Sequence, residues 1–313
     1  MDKLSTEALT PDDAVSLSSK PPKRHERHQG MTSSEAASPG SDIPAGTGEP
    51  PPFDTGVAHQ ARVYDYMLGG TDNYPADRAA ADAAIKIWPD IALGAQANRA
   101  FLGRAVRYLA GEAGIRQFLD IGTGIPTAGN THQVAQAIAP ESRVAYVDYD
   151  PVVLAHARAL LTSTEEGATE FIAADLRHTD AILAQAARLL DFTKPVAVTM
   201  LAILHAVPDS DDPYAIVATV MGAMPPGSYL AISHAAADLL DPEMLKSIKD
   251  AWRGKMQQQI IWRTREQVAR FFAGTDLVDP GLVRVEEWRP DPDPVDGRKF
   301  AGWAAVGHKR SDD

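Results

Sequence analysis

Hydrophobic positions along this chain keep a helical spacing up to about residue 112 and then give way to short apolar runs. QARVYDYMLGG, from Gln60, has helical patterning and ends on Gly69 and Gly70, a pair suited to a helix C-cap and the turn after it. A second helix is expected from Pro75, a residue tolerated in a first helical turn, through ADRAAADAAIKIW to the break at Pro89. A third is expected over 90–110, where Ala97, Phe101, Ala105 and Leu109 fall on one face.

Beyond it the period alternates. Strands are expected at 117–121, 143–148, 169–173, 195–204 and 227–234, with helices between them at about 130–139, 151–162, 180–190 and 213–223. Such alternation is the mark of an α/β fold with a mostly parallel sheet and crossover helices on both faces. A polar helix is expected near 242–253, then one begun by Thr264 and Gln267 at capping-box spacing. Two last strands, 282–289 and 300–308, flank the turn-rich PDPDPVDGRK and are expected to pair antiparallel.

Composition changes the picture mainly at the start. The first 52 residues hold eight of the 23 prolines and no Phe, Trp or Tyr, so they cannot bury enough apolar surface to offset their ordering entropy. Three regions follow: a disordered arm over 1–52, a helical lid over 53–112, and the ligand-binding α/β domain over 113–313. The run KPPKRHERH at 20–28 is either a contact for an anionic partner or a solvated charge cluster. A net charge of −12 argues against general affinity for nucleic acid or an anionic membrane. No apolar run approaches membrane-span length and no signal-peptide core is present, so a cytoplasmic location is expected. The absence of cysteine excludes disulfides, thiolate nucleophiles and thiolate-held metals, and with no HExxH spacing no metal is expected.

Chemistry concentrates in FLDIGTGIPTAGN, residues 118–130. A strand runs into Gly122-Thr123-Gly124, where missing Cβ atoms let backbone approach a ligand, and Asn130 with Gln133 can cap the next helix. That places backbone N–H groups at a strand's carboxyl edge, the usual ligand position in an open α/β sheet. Asp120 either orients the loop and the amine of an amino-acid ligand or merely caps the turn. Asp148 ends the next strand, before Tyr149 and Asp150, where a carboxylate can accept the hydroxyls of a ribose. Asp150 before Pro151 reads as an N-cap. Asp175, after the third strand, is placed either to accept from an adenine amine or to cap a helix. A nicotinamide site is disfavoured because Thr127 stands where G-x-G-x-x-G needs its last glycine.

VYDYMLGGTDNYPADR, FLDIGTGIPTAGNTHQVAQ, VAYVDYDPVVLAHARALL, the AADLR stretch and LAILHAVPDSDDP together resemble the actinobacterial S-adenosyl methyltransferase family, once labelled a domain of unknown function. The likeness runs from about Gln60 to the C-terminus. It implies a class I, Rossmann-like fold with a seven-stranded sheet and S-adenosylmethionine as cofactor. On the matching positions it implies Gly122 and Gly124 beside the methionine moiety, Asp148 at the ribose, and Asp175 and Leu176 at the adenine; Thr123 and Tyr149 are expected to bind the cofactor with them. The polar signature Arg62, Tyr64, Asp65, Tyr66, Gly69, Gly70, Asp72, Asn73 and Tyr74 sets this family apart from other methyltransferases. One reading makes it a lid, with Arg62 on the cofactor carboxylate, Tyr64 or Tyr66 over the sulfonium, and Asn73 on the cofactor side. The other is a helix pair whose Arg and Asp are paired internally.

Methyl transfer from a sulfonium needs alignment and exclusion of water more than a base. Where a base is used, His205 after the fourth strand is the first candidate and His234 after the fifth the second. Trp252, Trp262, Phe271 and Phe272 form either an acceptor pocket or core. The acceptor is expected to be a small molecule receiving the methyl on O or N. A macromolecular acceptor docked by the arm, and a non-catalytic cofactor-binding role, are the alternatives.

Overall fold

The computed structural model of the protein describes residues 54–160, 162–291 and 300–310. The arm, most of PDPDPVDGRK and the last three residues lie outside them. The chain opens with α1 (Gln60–Met67), α2 (Pro75–Ile87) and α3 (Ile91–Arg107), which runs into a π-turn at Tyr108–Glu112. The glycine pair closes α1 as its position requires. Gly69 takes φ +81, its N–H donates to the Tyr66 carbonyl, and that of Gly70 donates to Asp65, so both orphan carbonyls are satisfied.

Next come β1 (Gln117–Ile121), α4 (Thr131–Ile138), β2 (Arg143–Asp148), α5 (Pro151–Leu160), β3 (Ala168–Ala173), α6 (Thr179–Ala186), β4 (Ala197–Leu201), α7 (Pro213–Ala223) and β5 (Tyr229–Ala235). After β5 lie α8 (Pro242–Trp252), α9 (Arg265–Ala269), β6 (Thr275–Leu277), β7 (Val283–Arg284) and β8 (Gly302–Lys309). The sheet order is β3-β2-β1-β4-β5-β8-β6, with β1 to β5 parallel and β8 antiparallel to β5. The order reverses between β1 and β4, which opens a crevice at their carboxyl ends.

Alternation along the strands fills both faces of the sheet. Leu119, Ala145 and Val198 join Ile182 of α6 and Val217 of α7 on one side, while Phe118, Tyr146 and Ala197 join Phe101 and Leu109 on the other. The predicted stripe Ala97, Phe101, Ala105 and Leu109 is buried throughout. Both capping boxes form, at Asn130 with Gln133 and at Thr264 with Gln267.

One expectation fails. The strand predicted over 282–289 is only the two-residue β7, and the edge beside β8 is shared with β6, on the far side of a turn in which the Gly281 N–H donates to the Val278 carbonyl. Trp288, from the predicted strand, is instead buried against Phe101 and Tyr108. Among the described residues no helix is long and apolar enough to cross a membrane.

Candidate active site

At the end of β1 the chain must turn sharply beneath β4. Gly122 has φ +78, and a Cβ on it would lie 2.4 Å from Ile203, so glycine is required on both counts. Gly124 has φ +67, and a Cβ there would meet nothing within 4 Å, because this residue borders open space. Asp120 is buried and accepts from Thr131 Oγ1 at 2.6 Å and Thr199 Oγ1 at 2.8 Å, tying β1 to α4 and β4. Burial raises its pKa against those two hydrogen bonds.

Asp148 reaches across from β2. Its Oδ1 accepts from the N–H groups of Tyr149 (2.8 Å) and Asp150 (3.0 Å), and its Oδ2 from that of Gly124 (2.8 Å). Three of about four acceptor positions are thus used by backbone, and one on Oδ2 remains. Burial raises the Asp148 carboxyl above its usual range, with the bonds from Asp150 and Gly124 opposing. Asp150 caps α5 through the Val152 N–H and holds His59 Nδ1 at 2.6 Å, which docks the segment before α1 onto the end of β2. Although burial works to raise the Asp150 pKa, His59 holds it below the usual carboxylate range.

These residues line a cavity that encloses about 850 Å³, counting space open to solvent. Asp120, Gly122, Thr123, Gly124, Asp148 and Tyr149 form its sheet side. Tyr64, Asp65, Asn98 and Arg99 form the side contributed by α1 and α3. Arg99 donates to Asn130 Oδ1 at 2.7 Å, while its buried Nε has no partner. Tyr64 gives its hydroxyl proton to the Ala95 carbonyl (2.9 Å) and accepts from Asn98 (3.0 Å).

Five of the residues expected at the cofactor, Arg62, Tyr66, Asn73, Asp175 and Leu176, do not line this cavity. Arg62 is buried between α1 and α2, donates to the Val57 carbonyl at 3.0 Å and lies 3.4 Å from Asp77, so the internally paired helix hairpin is what forms. Tyr66 turns outward to Asp82, and Asn73 bonds to Asp65, Gly70 and Arg78, bracing the turn. Leu176 is in the core, and Asp175 is clasped by Arg177 through both carboxylate oxygens. Burial favours the neutral acid at Asp175, but Arg177 holds its pKa low. Burial, and then the charge of Asp175, raise the Tyr149 phenol.

A second cavity of similar size adjoins the first, and Gln60, Tyr64, Asn98 and Ala202 line both. Ala202 has φ +52, unusual for a residue with a Cβ. Its N–H donates to Ser233 Oγ, and its carbonyl accepts from Gln60 Nε2 at 2.6 Å. The same Gln60 nitrogen lies 2.6 Å from His205 Nε2. His234 uses both ring nitrogens, with Nδ1 on the Ala235 carbonyl and Nε2 on Arg263, so neither is left for a substrate. Burial, with Arg263, pushes the His205 pKa down to about 4; burial and His205 push that of His234 well down. Trp252 and Trp262 line this cavity, whereas Phe271 and Phe272 are core.

Comparison with known proteins decides the family. A model described as S-adenosyl methyltransferase matches residues 46–310. The chain belongs to that family. It is similar to a solved DUF574-family protein of Streptomyces avermitilis, with 45% identity, 82% of this chain and 99% of that one covered, and a TM-score of 0.79. It is also similar to a candidate methyltransferase of Thermobifida fusca, with 40% identity, 85% and 100% coverage, and a TM-score of 0.75. No curated protein matches it. The protein is therefore an S-adenosylmethionine-dependent methyltransferase.

The first cavity suits this methyltransferase's cofactor in its charges and its floor. Asp65, Asp120 and Asp148 face it against one guanidinium, and the ligand carries a sulfonium and an ammonium against one carboxylate. Arg99, Gln60 and Asn98 were missed by sequence reasoning. The one signal available was that Asn98 and Arg99 are polar positions of α3 next to its buried stripe.

Proposed function

We propose that this enzyme binds S-adenosylmethionine at the ends of β1 and β2 and methylates a small molecule held in the adjoining cavity. The common wall of the two cavities carries this reading, because a methyl group at Tyr64, Gln60 and Ala202 would face both ligands. Asp148 takes the ribose on the free acceptor position of Oδ2, and Gly124 lets the ligand lie against the backbone. Arg99, through its unpartnered Nε, takes the carboxylate, a role the sequence assigned to Arg62. Tyr64 lies by the sulfonium, where an aromatic face favours a cation.

Bound there, S-adenosylmethionine would supply an electrophilic methyl group on its sulfonium, with Asp148, Gly124, Arg99 and Tyr64 as the residues that would hold it. The chain's part is alignment and exclusion of water. His205, with Nε2 engaged and its pKa depressed, positions the acceptor rather than serving as base, and a proton on the acceptor leaves to water. Calorimetry with the demethylated product, S-adenosylhomocysteine, tests the donor site. Asp148→Ala should weaken that binding by roughly tenfold or more, the cost of one charged hydrogen bond and a disordered glycine turn. Unchanged affinity in that variant would remove Asp148 from the site.

A further inference from the structure

The second cavity carries more information than its position. Among the described residues that line it there is no Asp, Glu, Lys or Arg. Its walls are Met67, Trp88, Trp252, Met256, Ile260 and Phe300. A charged ligand entering it would lose water and find no counter-ion, whereas flat apolar faces would pack on indole and thioether surfaces.

Its polar atoms are few and their roles can be derived. The Ala202 carbonyl can only accept, so the side of Gln60 that faces it must be the amide nitrogen. That nitrogen therefore donates to His205 Nε2, which leaves the ring's proton on Nδ1. His205 Nδ1, Trp262 Nε1 and Gln60 Oε1 are all buried without a partner. Two are donors and one is an acceptor, and Gln60 stands on the wall shared with the first cavity.

We infer that the acceptor of this methyltransferase is an uncharged hydroxylated aromatic molecule whose hydroxyl donates to Gln60 Oε1 and whose second oxygen accepts from His205 or Trp262. The assignment rests on the reading of the two cavities as donor and acceptor sites. With the hydroxyl held at the shared wall, its oxygen forms the bond to the methyl carbon. The electron pair of the methyl–sulfur bond stays on sulfur, and the hydroxyl proton passes to water. Gln60 and His205 act as positioning residues in this arrangement.

The test compares 4-hydroxybenzophenone with 4-benzoylbenzoate at pH 6.5, with the full chain saturated by S-adenosylhomocysteine. The two probes share rings and carbonyl and differ in hydroxyl against carboxylate. Quenching of tryptophan fluorescence and calorimetry report binding without turnover. The neutral probe should bind at least roughly tenfold tighter than the carboxylate. Trp262→Phe, which keeps an aromatic wall but loses the N–H, should weaken it several-fold with S-adenosylhomocysteine affinity intact. Met67→Lys, which places a cation on the wall, should turn the preference toward the carboxylate. Equal binding of both probes, or binding of neither while S-adenosylhomocysteine binds normally, would overturn the assignment. Failure of S-adenosylhomocysteine itself to bind would instead sink the donor site.

Discussion

His205 is kept neutral by its place in the fold. Its pKa falls from 6.5 to about 4, so between those values the unfolded chain binds a proton that the folded one refuses. Stability from this group is therefore complete above about pH 6.5 and is lost as pH falls toward 4, an upper bound of about 3 kcal/mol. Asp120 and Asp148, whose carboxyls are raised by burial, act in the opposite sense as pH rises through their folded values. Comparison of His205→Asn with the parent chain removes those shared terms. Thermal melts from pH 7 to 4 should show the variant losing less stability than the parent, and parallel curves would refute the burial argument. At this scale the sequence was most legible where geometry is local. Gly122, Gly124 and Asp148 declare themselves because the turn needs glycine and the carboxylate ends a strand. Arg99 and Gln60 did not, since their neighbours in the cavity come from distant parts of the chain. Arg62 misled because an arginine that stitches two helices has the same local pattern as one that grips a ligand.

Among the elements, the α1–α2 turn makes the sharpest prediction. A Cβ on Gly70 would lie 2.0 Å from Asp65 Oδ1, and Asp65 Oδ2 accepts from the Asp72 N–H and from Asn73, both at 2.9 Å. Gly70→Ala should push Asp65 off both partners, costing about 1–3 kcal/mol in urea unfolding. Because Asp65 lines the first cavity, S-adenosylhomocysteine should bind more weakly as well. At Gly69 the added Cβ meets nothing, so alanine there should cost only left-handed strain, about 1 kcal/mol. Equal effects at the two positions would refute the clasp. β1, β2, β4 and β5 were legible because they are buried on both faces and read as apolar runs, while β3, half-buried at the edge, was legible from its place in the alternation. The edge was not, since Leu282, Val285 and Trp288 are apolar for packing in the core and not for pairing in a ladder.

At the scale of the whole molecule, every described residue that lines either cavity lies at or beyond His59. Removal of residues 1–52 should leave S-adenosylhomocysteine affinity within about twofold, and methylation of a small acceptor likewise. A selective loss of activity toward a macromolecule on that truncation would favour a docking arm, for which the basic run at 20–28 is the natural contact. The division of labour between the two cavities reaches further. The sheet side of the first comes from strand ends and the glycine turn, fixed by backbone that cannot change without unmaking the sheet. Much of the second comes from side chains of α1, α8 and the loops beside them, among them Met67, Trp88 and Trp252, the last of which also donates its indole N–H to the Ala80 carbonyl. If the second cavity holds the acceptor as proposed, changes confined to its own walls should alter what is methylated, whereas changes on the wall shared by Gln60 and Tyr64 should reach the donor as well.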